Sequence, residues 1–354
     1  MRASAFILAG GQVGSMGVLT AERPKSAVPF AGTYRMIDFA LSNLANSGFE
    51  QVGILSQYRP YSLMDHVGVG QPWGFVGRDR KADILPPYQG ESASDWYRGT
   101  ADALYQNIHF VERHDSDHVL VLSGDHVYAM DYRPLLKAHI AKDADLTVVF
   151  KRVPLGGGVR YGIGVLDGEQ RLTSYEEKPE RPRSDLASLT IYVFRRAALQ
   201  RWLAENQRTG HSFQLYDEVI PRALEEGKTF GYVFDGYWAY TRSVDQYYEA
   251  NFACVRAGGL LADAGARIRT NQENQGLAAA PPARFLARAQ VSDSVVSPGC
   301  VVEGSVTGSI LGPGVRVAAG AQVRNSILLH DVSVGEGAIL DSVIADKGVH
   351  VGED

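Results

Sequence analysis

Cysteine is nearly absent from this sequence, with two in 354 residues, Cys254 and Cys300. They lie far apart and have no metal-ligand spacing, which excludes a disulfide scaffold and a cysteine-based metal site and fits a reduced, cytoplasmic setting. Both read as small buried hydrophobes. Long apolar runs are missing as well, so no segment is suited to span a bilayer as a helix. The opening run "AFILAGG" is too short for the apolar core of a signal peptide and ends in glycines instead of a cleavage site. The chain also lacks a strong excess of either charge: the formal net charge is -5, and the two signs are interspersed. That argues against a nucleic-acid or membrane-surface partner.

What the chain does contain is apolar material in short pieces, 45% of its residues, enough for one large core or two domains. The strand-like runs "SAFILAG", "QVGILSQ", "HVLVLSGD" and "DLTVVFKRV" alternate with helical stretches such as "RMIDFALSNLANSG". This order predicts an α/β fold with a mainly parallel sheet and crossover helices. In such sheets ligands bind beyond the carboxyl ends of the strands. The glycine loop beginning at Gly10 and the segment "LSGDH" both fall at such ends. After "GLAAAPPARF" the pattern changes, and from Val291 an aliphatic residue recurs about every sixth position, often followed by glycine. A six-residue period suits a triangular coil that turns one aliphatic side chain inward from each face. It resembles the hexapeptide repeats of left-handed parallel β-helices, with an ordinary antiparallel β domain as the alternative. The chain therefore divides into an α/β domain over 1–260, a linker over 261–290 and a β-helix over 291–354. The repeats reach Asp354 without an evident cap, which points to a last coil covered by another subunit or to a shortened C-terminus.

Several stretches occur together: "FILAGG", "LTAERPKSAVPFAGTYRMIDFALSNLANSG", "DWYRGTADALYQN", "VLSGDHVYAMDY", "EEKP", "IYVF" and "GYW". In order and spacing they resemble the ADP-glucose pyrophosphorylases, also called glucose-1-phosphate adenylyltransferases. The resemblance covers almost the whole chain. It implies a Rossmann-like nucleotidyltransferase domain followed by the β-helix, ATP and glucose 1-phosphate as substrates, Mg2+ as cofactor and ADP-glucose and pyrophosphate as products. It also implies a role in glycogen or similar α-glucan synthesis and a homo- or hetero-oligomer, a tetramer.

The same resemblance assigns residues. Leu8, Ala9, Gly10 and Gly11 form the nucleotide loop, where missing side chains let backbone N–H groups approach phosphate; a plain turn is the alternative. Trp96, Tyr97, Gly99 and Thr100 face the adenine and ribose, while Thr100 also reads as a helix N-cap. Lys25 is placed at the nucleotide phosphates, or else on the solvated surface. Asp125, at a strand end beside glycine, is the expected Mg2+ ligand and, with Lys25, the catalytic pair. Glu177, Lys178 and Ser188 are assigned to the sugar phosphate.

Three departures qualify this assignment. The family loop reads G-G-x-G-x-R-L, and here Val13 and Ser15 stand at the third glycine and the arginine. The next basic residue is Arg23, so the loop lacks a cation to stabilise leaving pyrophosphate. The family's G-Y-W-R-D carries a second metal aspartate, and here those last two places hold Ala239 and Tyr240, leaving Asp245 to start a helix. Thr190 replaces the glycine of S-M-G-I-Y-V-F, adding bulk at the sugar pocket, and "SFQLYDEVIP" keeps only the outline of H-D-F-G-K-D-I-I-P. Three readings stay open: an adenylyltransferase with weakened catalysis, a non-catalytic regulatory subunit, and a transferase for another sugar 1-phosphate. Effector sites in the family lie between the catalytic domain and the β-helix; Thr33 stands where some members have lysine, and Arg35 is kept in a structural or effector role.

Overall fold

The computed structural model describes residues 2–11, 14–88, 96–154 and 160–353. Val13 and Asp354 lie outside the described residues. The strand β1 (Ala3–Leu8) sits in the middle of a nine-stranded sheet, between β2 (Gln51–Leu55) and β4 (His118–Ser123), with β3 (Lys81–Leu85) outside β2. These four strands are mutually parallel. Each parallel connection needs a crossover, and the helices α1 (Ile37–Asn46) and α2 (Thr100–Gln106) fall in two of them. The other half of the sheet is mixed. The long strand β9 (Leu186–Arg195) runs antiparallel to β4, to β6 (Leu146–Arg152) and to β7 (Gly162–Leu166). The strand β8 (Leu172–Glu177) hairpins onto β7, and β10 (Thr229–Val233) lies parallel to β6.

Side chains alternate across this sheet, as strand geometry demands. Ala5, Ile7, Val52, Ile54, Leu120 and Leu122 enter one core with Trp73. Phe6, Leu55, Val119 and Val121 enter the opposite core with Trp202, the latter carried by α3 (Arg196–Thr209). Burial on both faces accounts for the near-continuous apolar runs of β1 and β4.

Beyond the sheet, the hexapeptide segment forms three parallel sheets stacked as the left-handed β-helix the period predicts. Val302, Val317, Val334 and Val351 stand in register along one sheet, and Leu311, Leu328 and Ala345 along another. Its first rung, Arg284–Phe285, pairs with Val301–Val302 and so lies inside the stretch expected to be linker. The β-helix packs on the α/β domain through Ile310, Ile327 and Leu329, which meet Phe30, Phe39 and Tyr247. Arg23 adds a two-pronged ion pair to Asp346, at 2.7 and 3.1 Å. Both cysteines are free and buried.

Candidate functional site

The parallel register sets Leu8 beside Ser123, so the loops leaving β1 and β4 open side by side at the carboxyl end of the sheet. They border a cleft of about 410 Å3, lined by Leu8, Ala9, Gly10, Gly11, Lys25, Gln57, Tyr97, Gly99, Thr100, Asp125, Glu177 and Lys178, among others. Gly10 is needed by close approach: a Cβ there would sit 3.1 Å from the Gln57 backbone nitrogen. At Gly99 a Cβ would run into the Phe213 carbonyl. Tyr97 is turned inward by three bonds. Its backbone N–H donates to Gln57 Oε1 at 2.5 Å, its hydroxyl donates to the Leu85 carbonyl at 3.0 Å, and Asn107 donates to that hydroxyl at 2.9 Å.

Asp125 and Lys25, a hundred positions apart in sequence, form an ion pair of 2.7 Å at the cleft floor. The Lys25 side chain is 3% exposed and that of Asp125 19%. Burial alone would raise the Asp125 carboxyl, but the Lys25 ammonium, nearby His126 and the Ser123 hydroxyl hold it below the usual carboxylate range. Burial pushes His126 down to about 4 against the pull of Asp125, so its imidazole is neutral near pH 7. The short strand β5 (His126–Tyr128) pairs antiparallel with β11 (Trp238–Tyr240), and this register brings Tyr240 opposite His126. The Lys25 ammonium lies 4.5 Å from the centre of the Tyr240 ring. Burial, then the Asp125 charge, pushes the Tyr240 phenol well above its ordinary range, so it stays protonated.

A smaller cavity of about 100 Å3 adjoins the cleft, walled by Tyr161, Tyr175, Tyr192, Tyr216, Trp238 and Tyr240, with Glu177, Lys178, Ser188 and Thr190 on its rim. The Trp238 and Tyr240 rings are parallel within 10°. Thr190 borders both cavities and has φ +52°, a left-handed conformation that a β-branched residue rarely takes. The extra side chain that Thr190 has in place of the family's glycine thus stands on the wall of both cavities, on strained backbone. Lys178 Nζ pairs with Glu177 at 2.9 Å.

Of the residues expected from sequence, Leu8, Ala9, Gly10, Gly11, Lys25, Tyr97, Gly99, Thr100, Asp125, Glu177 and Lys178 line the cleft, and Ser188 lines only the smaller cavity. Trp96 does neither. It is 63% exposed, because the bonds that turn Tyr97 inward leave its chain neighbour facing outward. Thr100 is the first residue of α2 and not its cap; its hydroxyl donates to Gln214 and accepts from the Leu215 N–H instead. Asp245 falls in the first turn of α4 (Val244–Val255), capped by Ser243, as expected. The Ser15 hydroxyl donates to the Arg242 carbonyl at 2.5 Å, and Arg23 is committed to Asp346, so neither supplies a cation to the glycine loop. Arg35 is buried and donates to the Ala27 and Ser62 carbonyls, a structural role. Sequence reading missed Gln57, Gln214, Tyr161 and Tyr216. For Gln57 there was a signal: it follows the end of β2, the third parallel strand whose loop reaches the cleft.

The donor set around Asp125 does not fit a two-carboxylate metal site. Among the described residues no three His, Cys, Asp or Glu side chains gather as a metal-binding group. Asp125 Oδ2 is bonded to Lys25 and Oδ1 accepts from Ser123, while Tyr240 stands at the position where the family motif carries its second carboxylate. A neutral phenol is a poor ligand for a hard divalent ion.

A strand-end glycine loop, a lysine and a carboxylate around one cleft, with a β-helix packed behind, define a nucleotidyltransferase class of protein. The comparisons agree: residues 4–256 match the nucleotidyl transferase family, and residues 281–354 match the GlmU-like C-terminal hexapeptide family. The chain is similar to the glucose-1-phosphate adenylyltransferase of Thermotoga neapolitana, 46% identical over 325 residues, 90% of this chain and 76% of that one. It is 41% identical to the Fervidobacterium nodosum enzyme of the same name over 348 residues, 97% of this chain and 83% of that one. With the Clostridium perfringens enzyme of that name the figure is 40% over 333 residues, 93% and 85%. The chain belongs to the glucose-1-phosphate adenylyltransferase family.

Proposed function

We propose that this protein joins ATP and glucose 1-phosphate to give ADP-glucose and pyrophosphate, as a step toward an α-glucan. The observation that carries the reading is the cleft itself, where Gly10, Gly11, Lys25, Asp125 and Lys178 converge in a chain 40–46% identical to enzymes of that name. In this reaction a phosphate oxygen of the sugar phosphate attacks the α-phosphorus, a P–O bond forms there, and the bond to the β-phosphate breaks. Alignment and charge neutralisation are the protein's task. The glycine loop lies against the nucleotide phosphates, Lys25 holds phosphate oxygen from the cleft floor, and Lys178 holds the sugar phosphate at the rim. The stiff aromatic wall of the smaller cavity faces the sugar. Nucleotidyltransferases of this kind generally use a divalent metal; the resemblance places Mg2+ on Asp125, whose two oxygens are engaged by Lys25 and Ser123. The reading includes an oligomer, a tetramer, and a cytoplasmic setting, which the two free buried cysteines support. Among the described residues no helix is long and apolar enough to cross a membrane.

A second reading, a non-catalytic regulatory subunit, is favoured by Ser15 and Tyr240, which stand at the loop arginine and the second carboxylate. Thr190 and Tyr216 at the smaller cavity favour a third, in which another sugar 1-phosphate is the substrate. Pyrophosphate release by the purified chain, beside its Asp125→Asn variant, separates them. Turnover with glucose 1-phosphate that the variant loses supports the enzyme, and turnover only with another sugar 1-phosphate supports the third reading. No turnover above the variant refutes the self-sufficient enzyme and leaves the regulatory subunit.

A further inference from the structure

We infer that the Lys25 ammonium, fixed between the Asp125 carboxylate and the Tyr240 ring, is the resident cation of the cleft, and that nucleoside diphosphate groups bind here without a divalent ion. This rests on the nucleotide-binding reading of the same cleft. Both oxygens of Asp125 accept from the protein, one from Lys25 at 2.7 Å and the other from Ser123. A carboxylate engaged in this way holds the lysine in place and offers little to a metal.

Lys25 is correspondingly preorganised. Its side chain is almost fully buried, yet it borders the cleft, and one of its three N–H donors is taken by Asp125. The Tyr240 ring covers one side of the ammonium, and Lys25 lines the same cleft as Gly10 and Gly11 of the glycine loop. A divalent ion placed on Asp125 would meet this ammonium at close range, with one carboxylate to offset three positive charges. Among the described residues the neighbouring groups add no second anion at that point. The His126 Nδ1 accepts from the Trp238 indole at 3.3 Å, and the residue paired opposite His126 is a tyrosine, Tyr240, with no carboxylate to offer. Glu177 is, among the described residues, the other carboxylate bordering the cleft, and it is paired with Lys178.

Calorimetric titration of the full chain with ADP-glucose, at constant ionic strength, tests the idea in EDTA and again in millimolar Mg2+. Dissociation constants within about threefold of each other are the expected result. Binding at least about tenfold tighter with Mg2+ overturns the inference while leaving the nucleotide-binding reading intact. Absence of binding under both conditions overturns both. Lys25→Met is expected to weaken binding in EDTA by about tenfold or more, and unchanged affinity in that variant counts against the inference. Mn2+ alone, followed by electron paramagnetic resonance, gives a readout that needs no turnover. No stoichiometric site is expected in the wild type, and one is expected in Tyr240→Asp. A wild-type Mn2+ site that Asp125→Asn abolishes would overturn the inference even if Tyr240→Asp failed to fold.

Discussion

Asp125→Asn should destabilise the protein through the lysine it leaves behind. The substitution keeps the shape of the side chain and removes its charge, so the Lys25 ammonium, 3% exposed and 2.7 Å from the lost partner, remains buried without a counter-ion. Breaking a buried pair from one side costs about 3–5 kcal/mol. Because Asp125 is 19% exposed and water reaches its edge, the lower end applies, about 3 kcal/mol. In a chain of this size that lowers the melting temperature by roughly 4 °C. Lys25→Met should cost less, about 1–2 kcal/mol, because the stranded carboxylate keeps its Ser123 donor and its access to water. The double variant has no stranded charge and should be destabilised by less than the sum, with a coupling of about 2 kcal/mol. Urea midpoints for the four proteins close the cycle. Additivity within about 0.5 kcal/mol would refute the coupling and with it the electrostatic account of the cleft floor. The pH dependence has a fixed sign. A carboxylate held below its unfolded value contributes stability above that value, about 4, and loses it as the pH falls through the folded one. The penalty of Asp125→Asn should therefore be level from pH 5 to 8 and shrink in acid below about 4.

Thr190→Gly should relieve the left-handed strain at φ +52° and raise the melting temperature by a degree or two, since such strain costs about 1–2 kcal/mol and glycine gives part of it back in entropy. A lower melting temperature in scanning fluorimetry would refute the strain. Arg23→Ala removes the fork to Asp346 and should loosen the β-helix by about 2–3 kcal/mol. Hydrogen exchange should then rise first in the strands nearest Asp346, and an unchanged pattern would refute this. His139 is buried, with Nδ1 against Thr147 Oγ1 at 2.8 Å, Nε2 unpartnered, and its pKa pushed down to about 3 by burial. It stays neutral in the fold while the unfolded chain protonates near 6.5, so stability falls as the pH drops from 6.5 toward 3. His139→Phe should flatten that acid limb, which urea midpoints at pH 7 and 5 would reveal.

Much of this molecule is written locally. The alternation of Ala5, Phe6 and Ile7 suffices for a strand buried on two faces, and the six-residue aliphatic period suffices for a stacked coil. Because both signals arise from backbone geometry within one segment, they survive in the bare sequence. Gly10, Gly11 and Asp125 were legible for the same reason, as residues at strand ends in a parallel sheet. Trp96 shows the limit: one residue decides which of two adjacent aromatics turns inward, and bonds from Gln57, Leu85 and Asn107 make that residue Tyr97.

The amino-acid order alone determined an α/β sheet, a β-helix, a glycine loop without its arginine and a tyrosine in place of an acid. Tertiary structure decided what those changes mean. Only strand order could bring Lys25 to Asp125, set Tyr240 against them through the pairing of β5 with β11, and lend Arg23 to the β-helix instead of the loop. Charges a hundred or more residues apart carry no mark of one another in sequence, because their distance is set by packing and not by the chain between them.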